Sequence, residues 1–192
     1  MKIYDISQEV FSCKVYPGDP APRRQTLCST EKGELYNLTA FSMCAHNGTH
    51  IDAPFHFLNE GKTVEQMDLH TFVGDCYVAR HSGDVTAADA IAVLQKAAGA
   101  LRILIAGEAT ITEGAAKEFA RSGIYLLGNE SQTVGPENAP MMVHKILLEK
   151  NIALLEGVVL TDVPQGHYFL SAAPLNLSGA DGAPCRAYLI AE

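Results

Sequence analysis

The chain has 192 residues, 47% of them apolar, which fits a single globular domain over residues 1–192 that needs no disulfide scaffold. Its formal net charge of −8 argues against a nucleic-acid partner, and no segment approaches the ~20 consecutive apolar residues of a membrane-spanning helix. The five cysteines include no C-x-x-C pair, which predicts free thiols in a reducing, cytoplasmic compartment.

The first half of the chain is predicted to consist mainly of strands and loops. Residues 16–24, YPGDPAPRR, carry the prolines and glycine of a turn-rich loop. Residues 35–45, LYNLTAFSMCA, predict a strand that leads into the segment HNGTHIDAPFH at 46–56. A further short strand is predicted at 76–80, CYVAR.

Helices and buried strands are predicted to alternate through the second half. The predicted helices cover residues 86–99, 112–123 and 139–151. Thr86 and Thr112 are suited to N-caps, and Gly99 and Gly123 to helix ends. Short apolar runs predict strands at 102–106, 124–128, 152–160 and 185–192. This alternation predicts a mixed α/β fold with flanking helices, some parallel pairing and an N-terminal β and loop arm.

Three histidines and one aspartate lie within the segment 46–56. Gly48, Thr49 and Pro54 disfavour a helix there, so an extended backbone is the better prediction. The even positions then share one face, and the largely apolar odd positions face the core. The shared face carries His46, Gly48, His50, Asp52, Pro54 and His56.

Strand geometry assigns different roles to these residues. At ~3.3 Å per residue, the Cα atoms of His50 and Asp52 lie only ~7 Å apart, so their side chains can converge on one ion. On a straight strand His46 lies ~13 Å from His50 and joins them only if the chain bends, which Gly48 allows. His56 lies beyond Pro54, and we expect it to be a neighbouring base rather than a ligand.

The chemistry of this segment favours a metal. Neutral imidazole and carboxylate are common ligands of Zn²⁺ and Mn²⁺. A cluster of three histidines without a metal would titrate near neutral pH and add little stability. We therefore predict a divalent metal site; the alternative is that the histidines only hydrogen-bond one another and the backbone.

The segment HNGTHIDAPFHF resembles the H-x-G-T-H-x-D-x-P-x-H signature of the cyclase family of metal-dependent hydrolases. The stretches YPGDPAP and DGAPCRAYLI are similar to that family's flanking motifs, so the resemblance covers most of the chain. The family includes bacterial kynurenine formamidases, which are arylformamidases, and isatin hydrolases. The resemblance implies a mixed sheet of the swivelling β/β/α type and a homodimer or larger oligomer.

The resemblance also implies a role for individual residues. His46, His50 and Asp52 match the family's first metal ligands, and His56 matches its general acid/base. The ligands of a second metal match His144 and Glu156. Asp52 would then bridge two ions, and the chain would hold one or two Zn²⁺ or Mn²⁺ ions.

The residues themselves support Glu156 more strongly than His144. Glu156 ends the apolar run IALLE, and a carboxylate at the end of a buried strand is costly unless it is paired or liganded. His144 lies on a predicted amphipathic helix, where a lone histidine is commonly a boundary residue. Its assignment as a ligand therefore rests mainly on the resemblance.

The expected reaction is hydrolysis of a small amide. A bound divalent ion polarises a carbonyl group and acidifies water, and His56 would move a proton from water to the leaving nitrogen. The sequence holds neither G-x-S-x-G nor H-E-x-x-H, which disfavours a serine hydrolase and a zincin. Three functions stay open: an amidase acting on N-formylkynurenine, a hydrolase of a cyclic amide or imide such as isatin, and a metal-dependent protein that binds a small ligand without turnover.

Two stretches depart from the family pattern and leave the substrate open. GEATIT at 107–112 replaces a Thr-Gly turn, and NESQTVGP at 129–136 replaces an Asp-Thr loop. Phe55 and Phe57 are candidates for stacking against an aryl substrate, with core packing as the alternative. Glu130 is a candidate for binding a cationic or amide group, with a solvated loop position as the alternative.

Overall fold

The computed structural model describes residues 1–191. Its α-helices are α1 (Ala87–Ala97), α2 (Glu113–Ser122) and α3 (Met141–Leu148). Its strands are β1 (Lys2–Asp5), β2 (Arg23–Cys28), β3 (Leu38–Ser42), β4 (His50–Asp52), β5 (Val73–Arg80), β6 (Gly83–Val85), β7 (Arg102–Ala106), β8 (Ala109–Ile111), β9 (Leu126–Asn129), β10 (Ala153–Glu156), β11 (Gly166–Ser171), β12 (Gly182–Pro184) and β13 (Tyr188–Ala191).

Nine of the strands within residues 1–191 form one mixed sheet, in the order β1-β13-β11-β5-β7-β9-β10-β4-β12. The central strands β5, β7, β9 and β10 are parallel, and the pairs on both sides of them are antiparallel. Strands β2 and β3 form a separate, mostly exposed hairpin, and β6 pairs in parallel with β8. The predicted mixed α/β fold, with flanking helices and an N-terminal β arm, is confirmed.

Alternation along the central strands buries both faces of the sheet. Ile103 and Ile105 of β7 pack on the face covered by the helices, where Phe119 of α2 is fully buried. Leu104 and Ala106 of the same strand pack into a second core on the opposite face. Each large apolar side chain buried in this way stabilises the fold by about 1.5–3 kcal/mol.

The predicted helix caps are largely as the structure has them. The Thr86 hydroxyl caps α1 by accepting from the Asp89 backbone N–H, and Thr112 caps α2 in the same way. Helix α2 ends at Gly123 with φ 78°, as predicted. Helix α1 ends one residue earlier than predicted, because Ala98 itself takes the left-handed conformation.

Several predicted element bounds were wrong. The strand predicted at 152–160 ends at Glu156, because Gly157 turns the chain with φ 66°. The helix predicted at 139–151 begins only after Pro140, which lies at its N-cap. The strand predicted at 124–128 lies at Leu126–Asn129, and the last predicted strand is shorter, with Glu192 outside the described residues. Six strands were not predicted at all, namely β1, β2, β6, β8, β11 and β12.

The sheet places β4 between β10 and β12, with antiparallel pairing on both sides. In this register Glu156 of β10 and Pro184 of β12 are the partners of His50. Chemistry-bearing residues from distant parts of the sequence therefore meet at β4. None of the helices in the described part of the chain combines the length and apolar character needed to cross a bilayer.

Candidate metal and catalytic site

The segment 46–56 is bent rather than extended throughout, so the single-face prediction was right only for its centre. Residues 45–49 form a turn in which Gly48 has φ 64°, and only β4 is extended. A 3₁₀ turn, Pro54–His56, then redirects the chain. These two bends curl the ends of the segment inward, so that His46 and His56 approach each other with ring centroids 4.1 Å apart.

The centre of the site is a buried pair of carboxylates with His50 between them. Asp52 and Glu156 are each almost completely buried, as is His50. The Nε2 atom of His50 lies 3.3 Å from Asp52 Oδ1 and 3.4 Å from Glu156 Oε2. Its Nδ1 atom lies 3.0 Å from the Gly48 carbonyl oxygen and donates to it, which leaves Nε2 free to face the carboxylates.

Helix α3 adds His144 to this centre. Its Nε2 atom lies 3.1 Å from Glu156 Oε1 and 3.5 Å from Asp52 Oδ2. Its Nδ1 atom donates to the Pro140 carbonyl oxygen at 2.9 Å, so Nε2 is again the free nitrogen. Glu156 Oε1 also accepts from the Val134 backbone N–H at 2.8 Å, which fixes the carboxylate in place.

His46 links the centre to a carboxylate that the sequence did not single out. Its Nδ1 atom lies 2.7 Å from Asp52 Oδ1, and its Nε2 atom lies 2.8 Å from Asp181 Oδ2. The same Asp181 oxygen lies 2.9 Å from His56 Nδ1. Asp181 stands in the stretch DGAPCRAYLI, which carries part of the family resemblance, and that is the signal by which it could have been found.

The carboxylates raise the pKa values of the histidines they contact. Burial opposes protonation of His46, but hydrogen bonds to Asp181 and Asp52 outweigh it and raise its pKa to about 11. In the same way Asp52 and Glu156 outweigh burial at His50 and His144 and raise their pKa values to about 9 and about 10. In turn, although burial favours the neutral acid, hydrogen bonds from the histidines hold the pKa of Asp52 well below its usual range. Without a metal, the neighbouring carboxylates therefore favour the protonated forms of these three histidines.

The donor set fits a divalent metal. Two groups of side chains bring their ligand atoms within 4.8 Å of one another, and both contain Asp52; they are His46, Asp52 and His56, and His50, Asp52 and Glu156. Among the described residues, Asp52 Oδ2 is buried without a hydrogen-bond partner. A buried carboxylate oxygen without a partner is costly. Nitrogen and oxygen donors of this kind are the ligands that Zn²⁺ and Mn²⁺ accept.

A cleft of about 240 Å³ opens onto these residues. It is lined by His46, His50, His56, His144 and Glu156, and beyond them by Tyr16, Asp19, Phe57, Gln132, Thr133 and Pro140. The Phe57 ring lies edge-on against His56 and also contacts His144, with centroid distances of 4.5 and 4.8 Å. Phe55 is 39% exposed and does not line the cleft.

Glu130 also lies away from this cleft. Its carboxylate accepts from the backbone N–H groups of Gly107 and Leu160, at 2.6 and 2.8 Å. It borders a different surface depression, together with Glu108 and Ser131. The loop around it does reach the cleft two residues later, because Gln132 and Thr133 are lining residues.

The chain is similar to known proteins along most of its length. The model of the family described as "Putative cyclase" matches residues 4–134. A kynurenine formamidase of Bacillus cytotoxicus is 34% identical, over 96% of this chain and 95% of its own length. A kynurenine formamidase of Bacillus anthracis is 35% identical, with 98% of this chain and 97% of its own length covered.

Solved structures have the same fold. A structure described as a potential metal-dependent hydrolase with cyclase activity is 30% identical, with a TM-score of 0.82 over 98% of this chain and 96% of that one. Isatin hydrolase A of Labrenzia aggregata is 19% identical, with a TM-score of 0.85 over all of this chain and 94% of its own. At that low identity the second likeness concerns the fold alone.

Proposed function

The chain belongs to the "Putative cyclase" family, and on that premise we propose that it is a metal-dependent amidohydrolase that cleaves the formamide C–N bond of N-formylkynurenine. The observation that carries the proposal is the buried cluster in which Asp52 lies within hydrogen-bond reach of His46 and near His50 and His144. His56 borders the same cleft, and its Nδ1 atom contacts Asp181. Metal ligands and a general base are the two parts that metal-assisted amide hydrolysis uses.

The residues that would hold the metal are those with a nitrogen or oxygen left free by the surrounding hydrogen bonds. For His50 and His144 this is Nε2, because Nδ1 of each donates to a backbone carbonyl. For His46 it is Nδ1, which faces Asp52, because Nε2 faces Asp181. Asp52 and Glu156 complete the set. One or two Zn²⁺ or Mn²⁺ ions would fit it, and a bound ion would supply Lewis acidity toward a carbonyl and water.

His56 would act as general base and then as general acid. It takes a proton from the attacking water as the oxygen bonds to the formyl carbon, and passes that proton to the nitrogen as the C–N bond breaks. The products are formate and the free arylamine. An amide nitrogen leaves poorly unless it is protonated, so the same residue is expected to perform both transfers.

The walls of the cleft suit the aryl part of a substrate. Phe57, Tyr16 and Pro140 supply aromatic and apolar surface next to the cluster. Gln132 and Thr133 add polar side chains from the loop that departs from the family pattern. The same chemistry would open a cyclic amide such as isatin, which is the second candidate substrate because it presents the same reacting bond on an aryl ring.

Three further expectations accompany the proposal. A cytoplasmic location is predicted from the five free cysteines. A homodimer or larger assembly is predicted from the family resemblance. A single domain over residues 1–192 also stays a prediction, which rests on chain length and composition.

The experiment is a substrate panel on protein loaded with Zn²⁺ or Mn²⁺, with chelated protein as the blank. N-formylkynurenine, isatin and a simple aliphatic formamide are compared, for wild type beside His56→Ala. The proposal expects metal-dependent release of formate from N-formylkynurenine and a loss of turnover in His56→Ala, which keeps its metal. Faster opening of isatin would replace the proposed substrate by the cyclic one. Metal-loaded protein that turns over none of the three would contradict the proposal and favour a protein that only binds a small ligand.

A further inference from the structure

A single oxygen of Asp181 contacts two imidazole rings. Oδ2 lies 2.8 Å from His46 Nε2 and 2.9 Å from His56 Nδ1. The Asp181 side chain is partly exposed to solvent, and an aspartate of that kind is ionised at neutral pH. An ionised carboxylate can only accept hydrogen bonds, and both of these ring nitrogens therefore carry a proton.

The contact determines which nitrogen of His56 can take part in proton transfer. With the proton on Nδ1, the neutral ring has its lone pair on Nε2, the nitrogen farther from Asp181. The ring is also held between His46, with centroids 4.1 Å apart, and the edge of Phe57 at 4.5 Å. These three contacts orient the His56 ring, and the hydrogen bond to Asp181 alone determines its tautomer.

The backbone around Asp181 is built for this contact. Its carbonyl oxygen accepts from the Ala53 N–H at 2.9 Å, and the next residue, Gly182, is paired with Asp52 in the sheet. A Cβ atom at position 182 would lie only 2.7 Å from His46 Cε1 and 2.6 Å from the Ile51 carbonyl oxygen. The glycine is therefore needed for β12 to approach closely enough for Asp181 to reach both rings.

We propose that Asp181 is a positioning residue for the hydrolytic reaction: it holds His56 in the Nδ1–H tautomer and so leaves Nε2 as the nitrogen that moves the proton in the cleft. The catalytic consequence of this inference rests on the proposed function, whereas the hydrogen bond between His56 and Asp181 does not. The alternative is that Asp181 acts only through His46, by orienting a metal ligand. Carboxylates bonded to the second nitrogen of a ligand histidine have that effect in many metal sites.

A double-mutant cycle separates the two routes. The variants are Asp181→Ala, His56→Ala and the double variant, with Asp181→Asn as an isosteric replacement and exposed Asp162→Ala as the matched control. All are assayed with N-formylkynurenine at metal concentrations that saturate the weakest binder, and metal content is measured alongside. Asp181 is 41% exposed, so truncation leaves little buried space behind.

Action through His56 predicts that Asp181→Ala lowers kcat about 10- to 100-fold with KM and metal content little changed. In the His56→Ala background, Asp181→Ala should change the residual kcat by less than about twofold, because the histidine that Asp181 positions is absent. The proposal would be overturned in favour of the route through His46 by either of two results. One is an equally large loss of kcat in the His56→Ala background, and the other is a loss of metal that accounts for the loss of activity. The Asp162→Ala control should match wild type.

A second readout does not depend on activity. Long-range ¹H–¹⁵N spectra of the Zn²⁺-loaded protein report which nitrogen of each histidine is protonated. We expect His56 to be in the Nδ1–H form in wild type and to shift toward Nε2–H or a mixture in Asp181→Ala. An unchanged tautomer would overturn the inference even if the enzyme hydrolyses its substrate. A tautomer that depends on Asp181 in a protein without hydrolase activity would instead uphold the contact and refute the proposed function.

Discussion

A methyl group added at Gly182 should disturb the site from the edge of the sheet. In Gly182→Ala the new Cβ would lie 2.6 Å from the Ile51 carbonyl oxygen and 2.7 Å from His46 Cε1. Both distances are shorter than a van der Waals contact, so a neighbour must move. Ile51 is held by pairing with β10 and β12, and His46 by two carboxylates, so neither can move freely.

Overpacking of this kind costs about 1–3 kcal/mol of unfolding free energy. With a urea m-value of about 2 kcal/mol/M, the midpoint of unfolding should fall by about 0.5–1.5 M. The assay is urea unfolding followed by far-ultraviolet circular dichroism on chelated protein, so that metal binding does not contribute. Metal affinity, measured separately, should also fall because His46 is displaced.

Gly114→Ala is the matched control, since it is the same chemical change at a site with space. There the Cβ would meet its nearest neighbour, the Ala87 methyl, at an ordinary 3.5 Å, inside α2. Replacing a glycine of compatible backbone conformation by alanine should stabilise the protein by about 0.4–1 kcal/mol. A Gly182→Ala variant as stable as wild type, or two variants that shift in the same direction, would refute the packing argument.

Three further predictions concern charge, the outer loop and the aromatic wall. In the metal-free fold, the pKa values of His46, His50 and His144 are raised from 6.5 to about 9–11. Their contribution to stability is therefore complete below about pH 6.5 and is lost as pH rises through 9–11. Chelated protein should melt at a lower temperature at pH 10 than at pH 7, and a higher melting temperature at pH 10 would contradict this prediction. Glu130→Ala should lower the unfolding free energy by about 1–3 kcal/mol, because the N–H groups of Gly107 and Leu160 lose their acceptor. KM should stay at the wild-type value. A raised KM in a protein as stable as wild type would instead indicate that Glu130 contacts the substrate. Phe57→Leu should raise KM for N-formylkynurenine about two- to tenfold and leave KM for an aliphatic formamide unchanged. Equal effects on the two substrates would exclude stacking of the substrate's aryl ring on Phe57.

The sequence predicted the parts of the fold that depend on local pattern. Buried strands such as β7 read as continuous apolar runs, and helix starts such as Thr112 carry their own capping chemistry. Several strands were missed because they lack that pattern. Strand β11, GHYFLS, lies between β13 and β5 but is only partly buried, and the edge strand β12 is only three residues long and ends at a proline.

The candidate site was predictable where its residues are close in sequence. Period two placed His50 and Asp52 together, and Gly48 was identified as the residue that would allow the chain to bend. Asp181 was missed because it lies 125 residues after His56 and reaches it only through the pairing of β12 with β4. No periodicity in a single sequence reports such a pairing.

The loops were the least predictable part of the site. Glu130 was a candidate substrate contact, with a solvated loop position as the alternative, and in the structure its carboxylate accepts from two backbone N–H groups. The backbone donors of neighbouring loops decide where such a side chain lies, and those neighbours come from residues 107 and 160.

The most direct test of the central claim is metal content per chain, measured by elemental analysis on wild type beside His50→Ala and Glu156→Ala. The account predicts about one to two Zn²⁺ or Mn²⁺ ions in wild type, none in His50→Ala, and fewer than wild type in Glu156→Ala. Wild-type protein that purifies without metal and cannot be loaded with either ion would contradict it, and the buried cluster around Asp52 would then be a network of ion pairs without hydrolytic chemistry.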